Sequence, residues 1–158
     1  MKSIWKTQAA PQDLNANLEH TIHRSLGIVV SEVGPDYLEA QMPVDSRTHQ
    51  PRGLLHGGAS AVLAESLGSI GSFLVAGAEQ KTCVGIELNI SHLRGVATGQ
   101  VTGRATPIRL GKTLHVWEIQ IWNSADPEKK PIAVSRLTVL IQSRLKSEVF
   151  SSIHSGQT

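Results

Sequence analysis

The chain has a single cysteine, Cys83, in 158 residues. One thiol makes no internal disulfide, so the fold does without staples, and a reducing cytoplasm fits this usage. An excess of either charge is also missing: 15 Lys and Arg face 13 Asp and Glu, a formal +2 with histidines neutral. Without a basic field there is no footprint for nucleic acid, although a pI near 8.9 leaves room for one local basic patch facing an anionic ligand. The opening residues, Met1-Lys2-Ser3-Ile4-Trp5-Lys6, lack the apolar core of a signal peptide, so no export is expected. Long apolar runs are scarce too. The nearest approach is Gly53 to Ala78, where Glu65 is the only formal charge. Its small polar residues and central carboxylate argue against a membrane span.

Several chemical signatures are absent as well. There is no Gly-x-Ser-x-Gly elbow, and Gly111-Lys112-Thr113 lacks the earlier glycine of a phosphate loop, because Thr106 stands there and a strand pattern follows. His20, His23 and His115 have no carboxylate or cysteine companions at ligand spacing, so no metal site is expected. Cys83 falls inside a strand pattern.

What is present is an ordinary globular composition, 40% hydrophobic and 18% charged, in a chain of one-domain length. Leu14, Leu18 and Ile22 recur every fourth residue and predict a short amphipathic helix ending near Gly27. Ile28–Val33 and Tyr37–Val44 read as a hairpin around Gly34-Pro35-Asp36. A long helix is expected from near His56 to near Gly77. Strand patterns then cover Thr82–Leu93, Gly99–Ile108, Thr113–Trp122 and Ile132–Gln142, which suggests three successive hairpins. In the third of these strands Trp117, Ile119 and Ile121 alternate with Glu118 and Gln120, so one face is covered. The period fades at Ser143, giving one domain over residues 1–143 and a frayed tail over 144–158. The class is α+β: an antiparallel sheet curled around one buried helix, whose Ala59, Ala61, Ala64, Gly68 and Gly71 let strand backbones come close. Two such sheets joined edge to edge would hide an exposed edge strand.

Glu65 is the sharpest chemical signal. It sits mid-helix among uncharged residues, and Ala61, Val62, Gly68 and Ser69, one turn either side, offer it no cation. The competing reading is a carboxylate on a solvated face. His56-Gly57-Gly58 opens the helix, preceded by Gln50-Pro51-Arg52-Gly53. Free N–H groups at a helix start can hold a developing oxyanion, although a glycine pair also serves turn geometry or close packing. Gly57 and Glu65 are eight residues apart, about 12 Å along a helix axis, whereas one carbonyl needs both groups within about 3 Å. The complementary group therefore comes from a two-fold-related helix, and the site should lie between subunits. Ser69, one turn after Glu65, could hold a water or substrate oxygen, or could simply pack. Arg109 and Lys112 in a glycine-containing turn, with His92 and Arg94 near another strand end, could gather the phosphates of a long anionic ligand.

The spacing Gln50-x5-His56-Gly57-Gly58-x6-Glu65, running on to Ser69, resembles the hotdog-fold acyl-CoA thioesterases over about residues 4 to 142. Within that superfamily it is similar to the branch holding 1,4-dihydroxy-2-naphthoyl-CoA hydrolase and the 4-hydroxybenzoyl-CoA thioesterase with a helix glutamate. The resemblance implies the hotdog fold: a six-stranded antiparallel sheet wrapped around one long central helix, dimers joined into one continuous sheet, and a homotetramer. It implies Glu65 as nucleophile or general base and the Gly57 N–H as oxyanion donor. Gln50 and His56 would assist at the carbonyl, and Ser69 would orient water or substrate. It places coenzyme A, part of the substrate rather than a separate cofactor, across Gly85, across His92, Leu93, Arg94 and Gly95, and across the turn Arg109, Leu110, Gly111, Lys112, Thr113 and Leu114. An aromatic or medium-chain acyl-CoA is the implied substrate, with acyl-carrier-protein thioesters as a second class. A hotdog enoyl-thioester hydratase or dehydratase using His56 and Glu65, and a non-catalytic acyl-CoA binding protein, are the rival expectations.

Overall fold

The order of elements is α1 (Pro11–Asn17), α2 (Ile22–Leu26), β1 (Val29–Val33), β2 (Leu38–Val44), α3 (Gly57–Ala76), β3 (Lys81–His92), β4 (Gly99–Leu110), β5 (Leu114–Asn123) and β6 (Pro131–Ser143). The structure, a computed structural model, describes residues 3–77 and 81–143. The six strands form one antiparallel sheet in the order β1-β2-β4-β5-β6-β3. It wraps α3, the hotdog arrangement. Residues 144–158, read from sequence as a tail, lie outside the described residues.

Small residues set how closely sheet and helix approach. A Cβ on Gly68 would stand 2.5 Å from a Leu137 methyl, and one on Gly71 would stand 2.9 Å from the Trp117 ring. Across the interface, a Cβ on Gly103 of β4 would meet Leu67 at 2.8 Å. Leu63, Leu67 and Leu74 of the helix are fully buried against Leu38, Met42, Val101, Trp117, Ile119, Ile121, Leu137 and Val139 of the sheet. Trp117 is held further by its Nε1, which donates to Ser72 Oγ at 2.8 Å, and by a stacked Trp5, 6.2 Å between ring centres. Although α3 is long and apolar enough to cross a membrane, most of it is interior to the protein.

Two sequence expectations need correction. The first helix is two, because Thr21 Oγ1 donates to the Leu18 carbonyl at 2.7 Å and accepts from the His23 N–H at 3.3 Å. Those local bonds end α1 and cap α2, whose exit is Gly27 at φ +69°. The second correction concerns pairing: β3 does not fold back on β4 but pairs along its length with β6, from Lys81 opposite Ser143 to His92 opposite Ala133. Residues 93–98 cross the start of α3 instead, held there by the Leu55 N–H on the Val96 carbonyl at 2.8 Å and by His49 Nε2 against the Ala97 carbonyl at 2.9 Å. β4 thereby reaches β2, and β3 is left as a twelve-residue edge with Val84 and Ile86 exposed. The opposite edge, β1, is short and bulged, and the Asn15 side chain covers part of it.

Candidate active site

The helix start is built by its own loop. The Gln50 N–H donates to the Leu54 carbonyl at 2.8 Å, and Gly53 takes φ +74° to close the turn. The His56 N–H donates to the Thr48 carbonyl, and His56 Nδ1 accepts from the Gly58 N–H, both at 2.8 Å. His56 is therefore the N-cap of α3. Capping uses the Gly58 N–H. The glycines leave room for two imidazoles: a Cβ on Gly58 would stand 2.9 Å from the His56 ring, and one on Gly57 would stand 2.7 Å from His92 Nε2. Around this point a cleft of about 390 Å³ is lined by residues including Gln50, Gly57, Ser60, His92, Arg94 and Gly95. The sequence had placed His92 only among phosphate-binding residues. Its position against Gly57 depends on strand and helix crossing, which no local pattern encodes.

Glu65 lies two turns farther along α3, half-buried, with its carboxylate over Gly85 of β3. A Cβ at Gly85 would overlap Glu65 Oε1. A bulge between Gly85 and Glu87 bends the strand at this notch. Burial raises the Glu65 carboxyl above the ordinary glutamate range, and a hydrogen bond from the Ser69 hydroxyl draws it part of the way back. Among the described residues no cation pairs with it. A partly desolvated carboxylate held by one hydroxyl is suited to accepting a proton or attacking a carbonyl near neutral pH.

Ser69 also borders a second cavity, about 570 Å³, lined by Leu14, Asn17 and Leu18 of the N-terminal segment, Ile70 and Phe73 of α3, and Lys81, Thr82 and Cys83 of β3. Burial pushes the Cys83 thiol up, which argues against an activated nucleophile there.

Within one protomer the predicted residues fall into two groups. Gln50, His56, Gly57 and His92 to Gly95 gather at the start of α3. Arg109 to Leu114 form the β4–β5 turn at the other end of the sheet, where the Ile141 N–H donates to the Thr113 carbonyl at 2.8 Å. His92 faces Ala133 on β6, eight residues from Ile141, so the two sets are about 26 Å apart along the strand. Glu65, Ser69 and Gly85 lie between them. A single protomer brings neither Glu65 to Gly57 nor Arg109 and Lys112 to His92 and Arg94.

Similarity to known proteins shows the family of the chain. The sequence profile of the thioesterase superfamily matches residues 52–130, the stretch that holds Gly57, Glu65, Ser69, Gly85 and His92. The chain belongs to that superfamily. The proofreading thioesterase EntH of Cronobacter sakazakii is 46% identical over 138 residues, 87% of this chain and 98% of that protein. A crystal structure of a Pseudomonas aeruginosa thioesterase variant superposes with a TM-score of 0.86 at 46% identity, covering 90% of this chain and all of that one. A Haemophilus influenzae thioesterase does so at 0.86 and 44%, covering 92% and 99%. This member of the superfamily is accordingly a hotdog-fold thioester hydrolase, and its partner in reaction is a thioester.

Proposed function

We propose that this thioesterase hydrolyses an aromatic or medium-chain acyl-CoA to the free acid and coenzyme A, at a site shared by two subunits. Glu65 of one subunit attacks the thioester carbonyl or takes a proton from the water that does. The carbonyl electron pair moves onto oxygen, held by the Gly57 N–H of the partner subunit at its helix start. Collapse re-forms the carbonyl and breaks the carbon–sulfur bond. Coenzyme A leaves as the thiolate, and in the general-base route the proton held at Glu65 passes to sulfur or solvent. If Glu65 attacks directly, the thiolate takes its proton from solvent, and water then cleaves the acyl-glutamate anhydride to the free acid and the Glu65 carboxylate. Gln50 and His56 assist at the carbonyl, His56 chiefly by fixing the helix start, and Ser69 orients the carboxylate and its water.

The observation that carries this reading is the desolvated, hydroxyl-bound Glu65 in its Gly85 notch, with no cation among the described residues to neutralise it. The two-subunit arrangement rests on β3. Antiparallel pairing of two such edges sets the His92 end of one against the Lys81 end of the other. The cleft beside Gly57 then meets the partner's Glu65 and Ser69, and His92 to Gly95 approach the partner's Arg109 to Leu114, as a long coenzyme A requires. The assembly is a homodimer, paired further into a homotetramer, working in the cytoplasm. Acyl-carrier-protein thioesters are the second substrate class of this proposal.

Thiol release from a panel of aromatic and aliphatic acyl-CoA esters tests the reading. The parent protein should turn over, and Glu65→Ala should lose at least about a hundredfold in kcat. Failure to release thiol from any ester, with the protein folded, would overturn it.

A further inference from the structure

We infer that the N-terminal segment made of helix α1 and its C-cap Leu18 is the acyl selector of this enzyme, forming the outer wall of an apolar pocket that receives a ring-bearing or medium-chain acyl group. The inference rests on the thioesterase reading and adds to it the residues that set substrate size.

The cavity begins where the chemistry ends. Ser69, which holds Glu65, is one of its lining residues, and the pocket continues from there toward the end of α3. On α3, Glu65, Ser69 and Phe73 follow at one-turn intervals; on β3, Gly85, Cys83 and Lys81 alternate onto the same face. Glu65 stands over Gly85, so the wall runs on past Ser69 and Cys83 to Phe73 and Lys81, about 12 Å farther along the helix. The remaining side is Leu14, Asn17 and Leu18 of the N-terminal segment. Its apolar members, Leu14, Leu18, Ile70 and Phe73, suit an acyl group and not the charged, hydrated coenzyme A. At about 570 Å³ the space accepts a ring or a medium chain.

The wall is fixed in place. Asn15 donates to the Val30 carbonyl at 2.9 Å and accepts from the Val30 N–H at 2.8 Å, pairing with β1 as a neighbouring strand would. Leu14 and Leu18 are thereby held opposite Phe73. Both leucines lie outside residues 52–130, the stretch that carries the superfamily's signature, whereas the α3 and β3 walls of the pocket lie inside it.

Two measurements test the selector. Leu18, half-buried at the pocket wall, is replaced in Leu18→Trp. The kcat/KM for benzoyl-CoA and decanoyl-CoA should fall at least tenfold, and that for acetyl-CoA should change less than threefold. Equal effects on all three esters, or none, would overturn the inference while leaving hydrolysis itself established. The second uses the parent protein and needs no catalysis. Cys83 is the only cysteine, so a thiol reagent reports on the pocket alone. Saturating phenacyl-CoA thioether should slow its modification at least fivefold, and desulfo-coenzyme A, which has no thiol of its own, should not. Equal rates with the thioether and with desulfo-coenzyme A would place the acyl group elsewhere.

Discussion

At the residue scale the site is a matter of what is left out. Gly85 has no side chain where Glu65 needs room, and Gly57 has none where His92 lies. A methyl at Gly85 forces the carboxylate out of its notch, so Gly85→Ala should lower kcat at least tenfold with KM changed less than threefold, read by steady-state thiol release. Burial raises the Glu65 carboxyl, and the Ser69 hydroxyl opposes that. In the proposed mechanism the ionised form does the chemistry, so activity falls as pH drops through the raised value. The acid limb of kcat/KM should lie above the ordinary glutamate value of about 4.3 and move higher still in Ser69→Ala. An acid limb at the ordinary value, or one that Ser69→Ala leaves in place, contradicts this. Glu65 was legible in the sequence because its helical neighbours carry no charge. The contact of His92 with Gly57 was not, since it joins residues thirty-five positions apart through the crossing of a strand and a helix.

At the scale of elements, α3 is legible from its small-residue content and its His-Gly-Gly start, and the β1–β2 hairpin from its Gly-Pro turn. The division of α1 from α2 is not, because Thr21 ends one helix and caps the next with a single hydroxyl that leucine spacing does not reveal. Nor is the pairing of β3 with β6. Short connections suggest adjacent strands, but residues 93–98 are anchored across the helix start and carry the chain to β2. That detour opens the β3 edge and sends the two sets of phosphate-binding candidates to opposite ends of the sheet. Packing between α3 and the sheet depends on glycine at the crossing points. Gly71→Ala sets a methyl 2.9 Å from Trp117. It should cost about 1–3 kcal/mol in urea unfolding, with the m-value unchanged.

At the scale of the whole molecule, the proposed mechanism makes one protomer the holder of two half-sites. Gly57, the proposed oxyanion donor, and the Glu65 carboxylate lie two helical turns apart on α3, and the two cavities flank them on either side. The sequence implied a shared site through the length of the helix alone. The edge position of β3 supplies a physical route for the proposed pairing of two chains. A subunit-mixing experiment tests that claim most directly. Glu65→Ala lacks the carboxylate, and Gly57→Val blocks the helix start by displacing His92, so each should be inactive by itself. Co-expressed in equal amounts under two different tags, they should form mixed dimers with one intact site and one doubly damaged one. The pool should recover thiol release to about a quarter of the parent level. If dimers shown to carry both tags remain as inactive as either variant, the carboxylate and the oxyanion donor do not come from different subunits.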